Sequence, residues 1–382
     1  MIYLDYAASA PMSEQAIDAY AKAARNVYGN SQSLHDEGGR ASEWLAASRK
    51  KIASLLGGFE EGLYFTGSGS EANVLALQSL LNGADPAKKE IVYGGTEHTS
   101  IRTYIKQLSA RGYTVKKALP GKNGVIGWNE IQPFVTAQTA LISVQHANSE
   151  TGILHNIKEI SGHAYEKQIL FHSDCVQTFG KIPILAEKWK LSALSLSAHK
   201  VQGPKGMGAA YISPGVSWRP AIEGTAHEHG FRPGTVDVPG AVSFAVAAME
   251  SFKDMDKEQD KMREYRKHLV SFIEEKKIGE IIEAPNEKNQ LPGIIGCLLS
   301  HNEGQFAMLA CSQNGIAIST GSACHSGMTM PSPALLSLGV PEDKAHCFIR
   351  VSTGKGTVLS HIEQLEVMLE RCAESAGRVK HN

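Results

Sequence analysis

Short apolar or alternating runs recur along the first two-thirds of the chain. "EIVYGG" (90–95), "ALISVQHA" (140–147), "ILFHSDC" (169–175), "LSALSLSAH" (191–199) and "GMGAAYIS" (206–213) have strand length, and several end in polar residues. A further strand is expected at 63–66. Between the first few lie helix-like segments, 98–111 and 156–168. Strand, helix, strand at this spacing predicts a mostly parallel sheet covered by helices on both faces. Such sheets bind ligands beyond the carboxyl ends of their strands, so the polar residues that follow each strand are the ones to examine.

The charge-rich segment "SFKDMDKEQDKMREYRKHLVSFIEEKK" (251–277) predicts one long solvated helix bridging a large lobe to a smaller one. Beyond it, "GIIGCLLS", "GIAISTG" and "CFIRVSTG" read as strands. "SHIEQLEVMLERCAES" reads as a closing helix, with Ser360 and Glu363 as a capping box. The expected fold is α/β, with a large domain over 16–255 and a smaller α+β domain formed by 1–15 and 256–382.

Composition adds mainly exclusions. With 382 residues, 42% hydrophobic and 20% charged, the chain has the make-up of a globular protein large enough for two lobes. A net charge of −1 gives no electrostatic reason to expect nucleic acid or a membrane surface as partner. No charged leader precedes an apolar stretch, and no apolar run is long enough to span a bilayer. The six cysteines are scattered, with no CxxC pair, which disfavours a disulfide framework or a zinc site and fits a reducing cytoplasm. Cys324 differs from the rest. It sits in "STGSACHSG" (319–327), a run of small residues that reads as a loop tip, where a thiol is exposed and able to react.

The strand ends carry further chemistry. "FTGSGSEAN" leads from a strand through a Gly/Ser turn into a helix, so Gly69 and Ser70 could donate backbone amides to a phosphate. Neither GxxxxGK[ST] nor a strand-borne GxGxxG is present. "TEHTS" places His98 just past a strand, where a surface or capping role is the simpler reading. "HANSETG" offers Asn148 and Glu150. "FHSDCVQTFGK" ends a buried strand in Asp174, which must be paired, with Gln177 three residues on. "SLSAHKVQGPKG" supplies Ser197, His199 and Lys200; desolvation at a strand end lowers a lysine's pKa, which suits a Schiff base with a carbonyl compound. A phosphate cup, an aspartate, an aromatic ring and such a lysine are together what pyridoxal 5′-phosphate requires.

On these residues the chain resembles the class V aminotransferase family of fold-type I pyridoxal-phosphate enzymes. Within that family it looks like the cysteine desulfurases of the NifS/IscS type, from "YLDYAASAPM" through "SAHKVQGPKGMGA" and "FRPGTVDV" to "STGSACHSG" and "FIRVSTG". The resemblance implies that Lys200 carries the cofactor, Asp174 pairs with the pyridinium nitrogen and Gln177 meets the ring hydroxyl oxygen. It implies that His98 stacks on the ring and shuttles protons, while Gly69, Ser70, Ser197 and His199 hold the phosphate. Thr235 of "RPGT" would reach the phosphate of a neighbouring subunit in a homodimer. Asn148 and Arg350 would bind the substrate, L-cysteine, the arginine forking onto its carboxylate. Cys324 would take the sulfur as a persulfide, release L-alanine, and pass the sulfur to an acceptor: an iron–sulfur scaffold, a tRNA-thiolation enzyme or a client enzyme.

Selenocysteine lyase and aminotransferase activity on the same scaffold stay open. The chain departs from the common pattern at "AASAP", "GNSQSLH", "EGTAHEHG" and the Val-Gln of "HKVQGPKG". The departures bear on the dimer-side pocket rather than on Lys200, Asp174, Cys324 or Arg350. Cys175 reads as a buried strand-end thiol, and Cys297, Cys311, Cys347 and Cys372 as core or surface filler.

Overall fold

The strands Thr139–Ser143, Ala193–Ser197 and Gly208–Ile212 are buried along their whole length, as expected for the middle of a sheet covered on both sides. The computed structural model describes residues 1–321, 323–325 and 328–379, with side chains over 1–321 and 331–375. Its first eight strands are β1 Ile2–Tyr3, β2 Leu63–Thr66, β3 Glu90–Gly94, β4 Thr114–Ala118, β5 Thr139–Ser143, β6 Leu170–Asp174, β7 Ala193–Ser197 and β8 Gly208–Ile212. The rest are β9 Gly279–Ile282, β10 Ile294–Leu299, β11 Ile316–Ala317, β12 Ser319–Thr320, β13 Ala323–His325, β14 Met328–Met330 and β15 Phe348–Ser352.

Seven strands form the central sheet in the order β2-β8-β7-β6-β5-β3-β4. All its pairings are parallel except those of β8, which runs antiparallel to both neighbours. The connection from β7 to β8, residues 198–207, is too short for a helical crossover, so β8 must return antiparallel. Successive residues then face opposite layers. Phe65, Val92, Ile142 and Phe171 pack on one face with the helices Asp36–Leu55 and Val238–Lys253. Tyr64, Ile91 and Leu141 pack on the other with the helices Gly69–Gly83 and Thr99–Ala110. The expected α/β architecture is what the chain adopts.

A separate core gathers Leu4, Leu269, Ile295, Val351 and Leu369 around a second sheet of order β12-β15-β10-β9. The N-terminal strand β1 joins this region by pairing parallel with β11.

Three local expectations change. The segment 251–277 is not one helix: Val238–Lys253 ends at Asp254, and a new helix, Met255–Glu275, starts there. Asp254 is held by Lys355 Nζ at 2.8 Å. The closing helix starts at Leu359, so Ser360 lies inside it and does not cap it. The turn closed by Gly354 and Thr357, whose hydroxyl accepts from the Gly354 amide at 3.0 Å, starts the helix early. The segment expected as a loop tip forms a hairpin backbone, in which β13 pairs antiparallel with β14 and Cys324 sits opposite Thr329. The side chain of Cys324 lies outside the described residues.

The departure "EGTAHEHG" has a structural role. Glu228 and His229 take left-handed backbone angles, φ 47° and 54°, which cost free energy in non-glycine residues. Glu228 is buried and receives a bidentate pair from Arg49, at 2.7 and 2.8 Å, together with the Phe65 amide. The pair locks the helix Asp36–Leu55 to the edge strand β2. Glu228→Ala leaves the Arg49 charge buried and uncompensated, and should lower unfolding free energy by ~3–5 kcal/mol in a denaturant titration. An unchanged midpoint would remove this pair as the lock.

Candidate active site

The carboxyl ends of β2, β3, β6 and β7 open on the same edge of the sheet. There the segments that follow them line a cleft of about 380 Å³. Gly69, Ser70, His98, Asp174, Gln177, Ser197, His199, Lys200 and Arg350 all contribute to its walls. The geometry that gathers them is the parallel sheet itself.

At one end of the cleft the helix Gly69–Gly83 begins. Ser68 caps it by accepting the Glu71 amide at 3.1 Å, so the amides of Gly69 and Ser70 lie in the first turn, where no intrahelical acceptor exists. A Cβ on Gly69 would fall 2.7 Å from Val176 Cγ2 and 3.1 Å from Ser197 Cβ. Glycine therefore lets the helix start, Val176 and Ser197 close into one cradle, which suits a phosphate. Arg232, from "FRPGT", donates to Glu71 at 2.9 Å and ties that segment to the cradle helix. Thr235, three residues on, is exposed and is not in this cleft's wall.

At the centre, Asp174 accepts from the Val176 amide at 2.9 Å and from Asn73 Nδ2 at 2.8 Å. Asn73 is a residue that the strand-end reading missed. It lies one turn after Gly69, and that i+4 spacing is the signal that could have found it. Behind Asp174, Glu97 is fully buried, and burial first, then the neighbouring Asp174, raises its carboxyl well above the usual range. Asp174, which lines the cleft, is the group placed to meet a cation.

His98 combines the two readings open to it: it caps the helix Thr99–Ala110 and it lines the cleft. Its Nδ1 accepts the Ser100 amide at 3.2 Å, which leaves the proton on Nε2. Burial pushes the imidazole down, and Lys200 and Arg102 add to this against the pull of Asp174. His199 is pushed down to about 4 by burial and then by Lys200, Lys205 and Lys181, and its Nδ1 lies 3.2 Å from Ser9 Oγ.

Lys200 Nζ donates to the carbonyls of Ala7 and Ala8, the latter at 2.7 Å. Burial lowers its pKa to about 8, helped by Arg350 and opposed by Asp174 and Asp5. Arg350, on β15, is buried; it donates to Asp5 at 2.6 Å and to the Ser149 carbonyl at 3.0 Å, and its Nε has no partner among the described residues. That orphan donor, at the wall of the cleft, suits a carboxylate. Strand β12, which leads toward Cys324, pairs directly with β15, Ser319 opposite Arg350. Asn148 lies behind the wall, its Oδ1 accepting from the amides of Glu150 and Thr151. Asp5 is the second residue that the strand-end reading missed, since it follows a strand of only two residues, Ile2–Tyr3.

The residues present therefore fit a group that bears a phosphate, a cationic ring nitrogen and a carbonyl for an amine. Likeness to known proteins agrees. Residues 2–365 match the model of the aminotransferase class-V family. The NifS protein of Bacillus subtilis (strain 168) is 43% identical over 366 residues, which cover 96% of this chain and 93% of its own. The cysteine desulfurase IscS of Dictyoglomus turgidum is 32% identical over 373 residues, 98% of this chain and 94% of its own. Among solved structures, a NifS-like protein superposes with a TM-score of 0.90 at 28% identity, covering 98% of this chain and 99% of its own. With the family model spanning nearly the whole chain and the relatives matching it end to end, the chain belongs to the class V aminotransferase family, in its NifS/IscS branch.

Proposed function

We propose that this cleft binds pyridoxal 5′-phosphate on Lys200 and that the protein is a cysteine desulfurase. It converts L-cysteine to L-alanine and leaves the sulfur on Cys324. The observation that carries the reading is the convergence of Lys200, Asp174 and the Gly69 cradle in one cleft, with the strand leading toward Cys324 paired beside Arg350.

When bound, the cofactor supplies an electron sink for charge that develops on the substrate. The chain supplies everything else. Amides of Gly69 and Ser70, with Ser197 and His199, take the phosphate. Asp174, fixed by Asn73 and the Val176 amide, holds the proton on the pyridine nitrogen. Gln177 donates to the ring oxygen, and neutral His98 covers the ring face. Lys200 reaches its amine form at lower pH than a free lysine because burial and Arg350 disfavour its charge, so it can attach to the cofactor and then move protons. Arg350, at the cleft wall, offers its guanidinium to the substrate carboxylate. Asn148, behind the wall, braces the turn that carries Ser149.

Cys324 is the remaining piece. Burial pushes the thiols of Cys175, Cys297 and Cys311 up to about 12, which makes them poor nucleophiles. In the proposed step the Cys324 thiolate attacks the substrate sulfur. The S–S bond forms as the C–S bond breaks, and the carbon takes up a proton to leave as L-alanine. The persulfide then passes to an acceptor protein. A homodimer completes the reading: Thr235 is exposed and tethered to the cradle helix through Arg232 and Glu71, which supports a reach into a partner's phosphate site. Among the described residues no helix is long and apolar enough to cross a membrane, and we place the reaction in the cytoplasm.

With a reductant present, the protein should form alanine and sulfide from L-cysteine in equal yield, and Cys324→Ser should form almost none. Full activity in the variant would point to a lyase, and keto acid in place of alanine to an aminotransferase. Lys200→Ala should lose the visible absorbance of the bound cofactor; an unchanged spectrum would remove Lys200 from that role. In cofactor-free protein, the rate at which Lys200 reacts with a simple aldehyde should rise with pH through about 8, not toward 10.5. The sign follows from the neutral amine being the nucleophile; a midpoint above 10 would overturn it. Arg350→Lys, which cannot fork, should raise KM for L-cysteine roughly tenfold with little change in kcat. An unaltered KM would exclude Arg350 from the substrate site.

A further inference from the structure

One half-buried lysine beside the cleft has no part in the scheme above. Lys181 closes the segment "FHSDCVQTFGK", one residue past the turn at Gly180. Gly180 has φ 71°, and a Cβ there would fall 2.8 Å from Val201 Cγ1, so the turn is built to bring the chain close under Lys200. From it Lys181 Nζ donates to Gln177 Oε1 at 3.3 Å. Gln177 in turn donates through Nε2 to the Ala7 carbonyl at 2.9 Å. The same carbonyl accepts from Lys200 Nζ.

The chemistry of these partners allows the Gln177 amide one orientation. An ammonium can only face the amide oxygen, and a carbonyl can only face the amide nitrogen. One N–H of Nε2 is then spent on Ala7, and the other is left for the cleft that Gln177 lines. Turned over, the amide would present its oxygen to an anionic ring oxygen and lose both partners.

We propose that Lys181 is a positioning residue, which fixes the Gln177 amide with its N–H toward the cofactor's ring oxygen and braces the Ala7 carbonyl that Lys200 also uses. The proposal rests on the reading that the cleft binds pyridoxal phosphate. Lys181 itself does not line the cleft; it acts through Gln177. Its own ammonium is pushed down to about 7 by burial and then by the neighbouring Lys200 and Arg350, but a neutral amine donates to Gln177 as well, so the hydrogen bond persists on either side of that titration. The charged and titratable groups around Lys200 are Arg350, Asp174 and Asp5, with His98, His199 and Lys181 on the adjoining segments.

The test uses the full-length protein and reads pyridoxal phosphate affinity, with a thermal melt to check folding. Lys181→Met keeps the volume but cannot donate, and should weaken affinity about tenfold, the size expected for a lost hydrogen bond that leaves a polar group unpaired. Lys181→Gln can still donate to Gln177 and should recover most of that loss. In a Gln177→Ala background, Lys181→Met should cost less than twofold in affinity, because the group it orients is absent. An equal loss in both backgrounds would show that Lys181 acts on general packing and would overturn the proposal, as would an unchanged affinity in Lys181→Met. A parent protein that binds no pyridoxal phosphate would instead sink the reading of the cleft.

Discussion

The ion pair between Arg350 and Asp5 fixes where the two cores of this molecule meet. Arg350 belongs to the second sheet and Asp5 to the segment that leaves β1, and the 2.6 Å contact is mostly shielded from water. Around it the N-terminal segment is stitched to both sides. The Ala7 amide donates to Ser352 Oγ, and the Ser352 amide to the Leu4 carbonyl. From the central sheet, Lys200 donates to Ala7 and Ala8, while the Ala10 amide donates to the His199 carbonyl. The cleft wall is therefore made of three distant parts of the chain. A contact set with such large sequence separation forms late and all at once, so the site is as cooperative as the fold.

Charge in the cleft is arranged around groups that cannot keep their ordinary protonation. Lys200 and Arg350 line one side with Lys181 behind them; burial and then Arg350 push Lys200 down, and burial, then Lys200 and Arg350, push Lys181 down. Asp174 stands against them, and burial, then Asp174, raises the carboxyl of Glu97 behind it. The outcome is an acceptor for anions at the rim and for one cation at the floor. That pattern is what a phosphate, a carboxylate and a protonated ring nitrogen would neutralise, and the two anions would raise the charged fraction of the lysine nearest to each.

Much of this was legible in the sequence, for a physical reason. Buried parallel strands write themselves as apolar runs, and the sheet delivers whatever follows each run to one edge, so Asp174, Ser197, His199 and Lys200 announced their neighbourhood. Side chains that reach the cleft from elsewhere left no such mark. Asn73 arrives one helical turn after a glycine, and Asp5 arrives on a two-residue strand whose partner, β11, lies more than three hundred residues away. The helix break at Asp254 was hidden because its neighbours are all good helix formers and the turn depends on a lysine, Lys355, that is distant in sequence. The hairpin of β13 and β14 was hidden by its small residues, which read as a loop because they carry no strand periodicity.

The Arg49–Glu228 pair shows how a strained connection can be held. Two consecutive left-handed residues that are not glycine are costly. Here Glu228 turns inward and takes three donors, one of them the amide of an edge strand that would otherwise be exposed. The same connection continues through Arg232 to Glu71 at the start of the cradle helix. The segment is thus anchored at both ends to β2 and to the helix that follows it. Because the anchor uses side chains rather than backbone freedom, the connection is held in one shape, and the position of Thr235 on the surface is set by the same contacts that set the cradle.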